Sequence, residues 1–400
     1  MTVRVNKQPF NIREKLSELE RPIGVKGNEL MRAETAQDAR DLVSAGRKNL
    51  IINGDMRIAQ RGTTFNPAPT SSGSYTIDRF CTQSSQSNNF TVSQDSSSPP
   101  GFINNWKVTM GTATTLDYMR LCATVEGYNF KQASAFGTSS AQYLTLSFWV
   151  KSSLTGTFGV GFRNGTTISG TGLSTSYLAT YTINAANTWE YKTITIPPNT
   201  TATWGSANNI GFLILWDLGD SSTRSSSTTG VWQTSDNYYP PGLTRGTKVA
   251  SVTGATWQIT GVQLEVGRNA TEFEHRSYGE ELALCQRYYW EVGSYSNNNW
   301  APIALFIAYN ATRAFGSIPT PVTMRAHPAV TFSTLNVYSS GSAIDVTNIF
   351  RYSQTNRDQE YNGLAFELST ASGMSGGTVY RLHVKNAGGT SGYIRLNAEL

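Results

Sequence analysis

Gly373-Met-Ser-Gly-Gly377 fits the G-x-S-x-G pattern, in which a turn between a strand and a helix presents a serine as nucleophile. The residues after Ser375, Thr378 to Val384, alternate as a strand does, so a glycine-rich turn is the better reading. His275, His327 and His383 are the only histidines; none has H-E-x-x-H spacing and no pair is close enough in sequence to share a metal, so no metal site is expected. His383 shares a strand face with Arg381 and Lys385, opposite Tyr380, Leu382 and Val384, and reads as part of a solvated or subunit-facing polar side. Two carboxylate pairs could flank a glycosidic bond, Asp217 with Asp220 and Asp358 with Glu360, but ordinary loop solvation explains both. Asp217-Leu-Gly-Asp220 lacks the alternating oxygens of a calcium loop. Gly159-Val-Gly161 alternates with Phe158, Val160 and Phe162 and opens no helix, so it is no phosphate cradle. Neither a catalytic residue nor a cofactor is expected.

Sugar recognition needs less: aromatic faces against C–H surfaces, with amides, carboxylates and arginine for the hydroxyls. Two stretches offer this, Trp232 with Asp236, Asn237, Tyr238 and Tyr239, and Arg351 with Tyr352, Asn356, Arg357 and Tyr361. Packing at a module or subunit boundary competes with the binding reading for both. Trp189, Trp216 and Trp257 are assigned to the core.

The elements that would position these residues follow from composition and periodicity. A chain of 400 residues suggests two or three globular units. Gly, Ser, Thr and Asn are abundant and 15% of residues are charged, which favours short strands joined by turns. The net charge is +5, without a basic run interleaved with aromatics, so a nucleic-acid partner is not expected. Cys81, Cys122 and Cys285 are odd in number and widely spaced, and read as reduced, packed thiols. Charges recur along the amino-terminal segment and no apolar stretch is long enough to span a bilayer, so neither membrane insertion nor a signal peptide is expected, and assembly in the cytoplasm is.

Residues 1–48 hold 17 of the 59 Asp, Glu, Lys and Arg residues and form a separate module. Asn11 with Glu14 and Thr35 with Asp38 open two short helices whose stripes include Ile12, Leu16, Leu19, Leu42 and Val43. Helices this short need a partner surface to bury those stripes, so the segment is expected to anchor the chain to sister chains or a larger assembly, with a flexible tail as the alternative. From residue 49 to 276 the period becomes two: Leu144, Leu146, Phe148 and Val150 alternate with Thr145, Ser147, Trp149 and Lys151, and Ile210 to Trp216 is apolar on both faces. Trp257 and Ile259 lie on one parity and Val262, Leu264 and Val266 on the other, which places a bulge near Gly261. The pattern predicts a jelly-roll-like antiparallel β-sandwich with loops at 66–74, 93–101 and 219–247. Ser277 with Glu280 caps a linking helix over 277–290 with Leu282, Cys285 and Tyr289 inward. Residues 291–400 form a second, smaller β domain, with Leu364, Phe366 and Leu368, Tyr380, Leu382 and Val384, and Ile394, Leu396 and Ala398 as inward rows.

The run from Asn49 to Thr63 (NLIINGDMRIAQRGT), followed by Tyr75-Thr-Ile-Asp-Arg79, resembles the opening of the receptor-binding-type module of phage tail fibres and related virion proteins. Ser147-Phe-Trp-Val-Lys151, the run from Trp257 to Gly267, Phe273 to Leu282 and Cys285-Gln-Arg-Tyr-Tyr289 are similar to its later strands and exit helix. Pro321 to Pro328 and Asn397-Ala-Glu-Leu400 resemble the distal β domain that often follows it. The resemblance spans about 49–400 and implies homotrimers and carbohydrate-binding jelly rolls. The expected function is that of a non-enzymatic phage fibre protein, of tail or capsid, which docks on the virion through residues 1–48 and presents a distal end to host cell-surface polysaccharide. The alternatives are a polysaccharide-degrading tailspike and a purely structural decoration of capsid or tail.

Overall fold

The computed structural model describes residues 47–400 apart from 68–69, 86–88, 114–117, 166, 169–174, 220–224, 235–241, 245, 294–300, 342, 352–362, 385 and 388–389. The anchor candidates Ile12, Leu16, Leu19, Leu42 and Val43 lie outside the described residues.

In chain order the first unit runs β1 (Thr64–Phe65), β2 (Thr70–Tyr75), β3 (Phe80–Ser84), β4 (Phe90–Asp95), β5 (Asn105–Met110), β6 (Met119–Glu126), helix α1 (Gly127–Ser134), β7 (Leu144–Ser152), β8 (Gly156–Arg163), β9 (Thr175–Ile183), β10 (Glu190–Ile196), β11 (Ile210–Asp217), β12 (Ser225–Ser226), β13 (Trp232–Thr234), β14 (Gly242–Leu243) and β15 (Thr256–Val266). These form a six-stranded sheet in the order β1-β4-β5-β15-β7-β10 and a seven-stranded sheet in the order β13-β9-β8-β11-β6-β3-β2, with β12 and β14 as a separate pair. The two large sheets are antiparallel throughout and close on one core, a jelly-roll-like sandwich.

The alternation seen in the sequence produces this architecture. Leu144, Leu146, Phe148 and Val150 of β7 point inward and are buried, as are Trp257, Ile259, Val262 and Leu264 of β15. The change of parity within β15 is a bulge: its register against β7 shifts between Thr260 and Gln263, and Gly261 adopts a left-handed φ of 62°. β11 is buried along its whole length because it lies centrally, between β6 and β8, and covers apolar groups on both faces. Trp216 and Trp257 are core residues, the latter donating through Nε1 to the Tyr181 hydroxyl at 3.2 Å. Cys81 and Cys122, cross-strand neighbours on β3 and β6, and Cys285 are free and buried. Helix α1 was not expected; its Phe130 stacks on Phe212 at 4.8 Å, so tertiary packing stabilises a turn of chain with little helical periodicity. The segments read as loops at 66–74, 93–101 and 219–247 also contain strand residues, in β2, β4, β12, β13 and β14.

Helix α2 (Tyr278–Gln286) starts at Ser277, whose hydroxyl accepts the Glu280 amide at 3.3 Å. The helix ends at Gln286, short of the expected 290, and Tyr289, though buried, opens the next strand; Cys285 is buried as expected, whereas Leu282 is half-buried and Glu281 is buried in its stead. The second unit comprises β16 (Tyr289–Gly293), β17 (Ala301–Ala308), β18 (Arg313–Pro319), β19 (Ala329–Ser333), β20 (Leu335–Tyr338), β21 (Ile344–Arg351), β22 (Gly363–Thr370), β23 (Val379–Val384), β24 (Asn386–Ala387), β25 (Thr390–Ser391) and β26 (Tyr393–Asn397). Strands β17-β18-β22-β21-β20-β23 close a barrel around Phe306, Ile318, Val337, Phe366, Leu368 and Leu382, and β26 lies between β16 and β19 in a three-stranded sheet. His383 departs from its expected solvated setting: it is 5% exposed, and burial together with the Arg381 charge lowers its pKa.

Candidate functional site

On the outer face of the six-stranded sheet, the residues that alternate with the core line up across strands. Trp149 of β7 is directly opposite Tyr191 of β10, ring centroids 5.4 Å apart, and Ser147 lies two residues along β7. At the bulge, Gly261 brings the backbone close to these rings: a Cβ there would sit 3.2 Å from Trp149 Cδ1 and 2.7 Å from Phe102 Cζ. The sequence thus makes a floor by strand parity and leaves room above it by omitting a side chain.

Two loops form the walls. The chain leaving β4 is fixed by Asn105 Nδ2, which donates to Asp95 O at 2.9 Å and to Ser98 Oγ at 3.2 Å, and it carries Pro100, Gly101 and Phe102. The chain leaving β15 is tied to the sheet where the Glu265 carboxylate accepts from the Thr271 amide at 2.9 Å and hydroxyl at 2.6 Å, and where Gln263 Oε1 accepts the Glu274 amide at 2.8 Å. It carries Phe273 and His275 to within 5.1 and 5.4 Å of the Phe102 ring. Together these residues line an open groove of about 670 Å³ with Phe102, Trp149, Tyr191, Phe273 and His275 around it. Partial burial raises the pKa of the Tyr191 phenol, with Ser147 in hydrogen-bonding reach partly offsetting it, so the hydroxyl stays protonated as donor and acceptor. Beyond this rung, Lys151 lies 5.0 Å over the Trp189 ring and donates to Ser97 Oγ at 3.0 Å. Trp189 is half-exposed at this rim, which corrects its assignment to the core.

The residues picked out by sequence are placed differently. Trp232 packs against Phe136, Tyr177 and Trp204, with its Nε1–H on Pro197 O at 2.9 Å, so its ring is engaged inside the sandwich. Asp236, Asn237, Tyr238 and Tyr239 lie outside the described residues, as do Tyr352, Asn356, Arg357 and Tyr361; Arg351 is the last residue of β21. The groove was missed because three of its five rings, Phe102, Phe273 and His275, come from loops with no periodicity. Its available signal was Trp149, a large aromatic on the polar parity of β7.

The groups considered for chemistry have structural roles. Asp217 is buried, paired with Lys248 at 2.8 Å, and accepts the Leu243 amide at 2.9 Å; Asp220, Asp358 and Glu360 lie outside the described residues. Ser375 sits in a turn between β22 and β23, where its amide donates to the Tyr380 hydroxyl at 3.0 Å and its carbonyl accepts the Thr378 amide at 3.1 Å. Among the described residues no cluster of three or more His, Cys, Asp or Glu side chains is arranged to hold a metal, and no helix is long and apolar enough to cross a membrane.

Several of the motif segments, scattered over more than three hundred positions, meet at the junction of sandwich and barrel. Asn53 N donates to Glu281 Oε1 at 2.5 Å, and Gln60 Nε2 donates to Asp78 Oδ1 at 2.7 Å and to Tyr289 O at 2.9 Å. Glu126 accepts from Arg287 Nη2 at 2.7 Å and from the Tyr288 hydroxyl at 2.5 Å. Arg79, 2% exposed, pairs with Glu399, lies 3.5 Å over the Tyr288 ring and donates to Thr124 Oγ1 at 2.9 Å. Arg61 reaches Glu399 at 3.0 Å and the Tyr289 ring at 3.6 Å. Arg325 donates to Asn208 O on the sandwich and to Ala398 O and Glu399 O on the barrel side.

No protein-family model matches the chain, and no curated protein matches it. Solved structures with some likeness include the enzymatically active domain of tailspike protein 4 of bacteriophage CBA120, 13% identical with a TM-score of 0.31, over 55% of this chain and 21% of that one. This chain therefore spans about a fifth of that tailspike domain. The family 11 carbohydrate-binding module of a cellulosomal cellulase of Clostridium thermocellum is 14% identical, with a TM-score of 0.26, over 51% of this chain and 100% of that one. A xylan-binding domain from Paenibacillus barcinonensis is 9% identical, with a TM-score of 0.23, over 52% and 94%. At such scores these likenesses transfer neither residue roles nor ligands.

Proposed function

We propose that the chain is a fibre-type virion protein of a bacteriophage whose sandwich binds glycan in the outer-face groove, without performing chemistry on it. The observation that carries the glycan reading is the groove itself: five rings around about 670 Å³, with the polar residues Ser147, Thr271, Glu272 and Tyr191 also in its lining. Apolar faces with a few convergent polar groups are what a pyranose, apolar on its C–H faces and polar at its edge, requires. The fibre reading is supported by the motif segments, which resemble those of fibre modules and build one buried junction. In this proposal residues 1–48 dock on the virion and the chain acts as a homotrimer. A basis for self-association is an apolar stripe on the outside of the barrel, where Leu305, Ile307 and Tyr309 of β17 and its turn are 61%, 57% and 69% exposed beside Val379 at 49%. Several copies on one particle make weak single-site binding sufficient for adhesion.

The test is affinity electrophoresis of the full chain through gels containing bacterial surface polysaccharides. Wild type is retarded in at least one gel, while Trp149→Ala and Tyr191→Ala migrate as in a blank gel without releasing or losing reducing ends. Equal retardation of wild type and both variants refutes the groove, and new reducing ends refute the non-enzymatic reading.

A further inference from the structure

The charges around the groove indicate which glycans it admits. Among the described residues its lining contains no lysine or arginine; the ionisable side chains there are Tyr191, Glu272 and His275, and Glu272 is exposed on the wall. Beneath it Glu265 is buried with neutral donors only, the Thr271 amide and hydroxyl and Gln263 Nε2 at 3.0 Å, and among the described residues no lysine or arginine forms an ion pair with it. Glu274, by contrast, is paired with Arg276 at 3.1 Å. Of the nearby cations, Lys48 donates to Thr271 Oγ1, the hydroxyl that in turn donates to Glu265, so its charge is set against that buried carboxylate, and Lys151 is held by Ser97 and the Trp189 ring at the rim, outside the lining, which leaves Glu272 as the carboxylate on the wall.

The whole chain argues the other way, because a net charge of +5 attracts polyanions. Distance decides between them. At physiological salt, exposed charges more than about 8 Å away are largely screened, whereas a sugar carboxylate seated in the groove would lie within a few ångströms of Glu272. We propose that the groove admits uncharged glycan chains and discriminates against polyanionic ones, an inference that rests on its being the glycan site. A like charge at such a distance is expected to weaken binding roughly tenfold.

The experiment is an array of neutral glycans and of glycans bearing uronic or sialic acid, probed at 0.15 M salt (a value at which about 8 Å is the screening length) with full-length wild type, Trp149→Ala and Glu272→Lys. Signals abolished by Trp149→Ala are expected to fall on neutral glycans, and Glu272→Lys is expected to raise acidic signals several-fold while leaving neutral ones within about twofold. Acidic glycans dominating the Trp149-dependent signals would overturn the discrimination and leave the groove as the site. An array without any Trp149-dependent signal would overturn both.

Discussion

Replacing Glu399 by alanine removes the carboxylate that faces Arg79 and Arg61 at the junction. Burial disfavours the charged guanidinium of Arg79, and Glu399 together with Tyr288, Tyr75 and Cys285 outweighs it, leaving the Arg79 pKa raised. Without Glu399, Arg79 keeps Thr124 and the Tyr288 ring, and Arg61 keeps Asp78 at 3.7 Å, but one buried charge loses its counter-ion. Breaking a buried pair from one side costs about 3–5 kcal/mol, and the surviving contacts put this case near about 3 kcal/mol. At about 2–4 °C per kcal/mol for a domain of this size, the melting temperature should fall by about 6–12 °C. Differential scanning calorimetry of the full chain is the assay, because it also shows whether the barrel melts separately from the sandwich once the junction is weakened. The double variant Glu399→Leu with Arg79→Met, which removes both charges, should recover at least half of the loss. A fall of less than about 2 °C in the single variant would refute the claim that this pair locks the two units together.

Burial raises the Asp78 pKa from 3.8 to about 6, with Arg61 and Gln60 pulling against it. Folding therefore binds a proton between those values, so this residue's contribution to stability is most favourable below about pH 4 and declines by about 3 kcal/mol as pH rises through about 6; the wild type should lose ground to Asp78→Asn over that window in thermal melts, and a pH-independent difference would contradict the assignment. Gly261→Ala should destabilise by about 1–3 kcal/mol, since its left-handed φ is costly for alanine, and should weaken glycan retention by pushing Phe102 across the groove; unchanged melting and retention would show that the bulge does not shape the site. Leu305→Asp with Ile307→Asp should leave circular dichroism unchanged and reduce the mass seen in sedimentation to one chain, and an unaltered assembly would remove the barrel stripe from the interface.

Much of the fold was legible because it is written in period two. The inward rows of β7, β15, β23 and β26 were readable from alternation alone, and the parity change around Gly261 gave the bulge. The closure of the barrel was not, since it depends on β17 pairing with β23, partners some eighty positions apart whose register no local pattern encodes. The site was half legible. Trp149 and Tyr191 share a face by parity, but Phe102 and Phe273 meet over them only because two unrelated loops are tied down by Asn105 and Glu265. Trp189 looked like core because tryptophans usually are; it stands just before β10, where Lys151 rather than the interior takes its ring. The motif residues were visible as a signature, and many proved architectural, Asn53, Gln60, Arg79 and Glu281 tying the junction, while Trp149 lies in the groove.

Strand β26 is the middle member of its sheet, pairing with β16 on one side and β19 on the other. On a ribosome, therefore, both neighbours wait with unpaired edges until residues 393–397 have emerged, and Glu399 reaches Arg79 later still. The sandwich strands precede all of these residues in the chain, but the connection to the barrel must wait until residues 393–399 are available. A nascent chain paused shortly before residue 393 would expose two adhesive strand edges, making a stall at that point a specific hazard for aggregation.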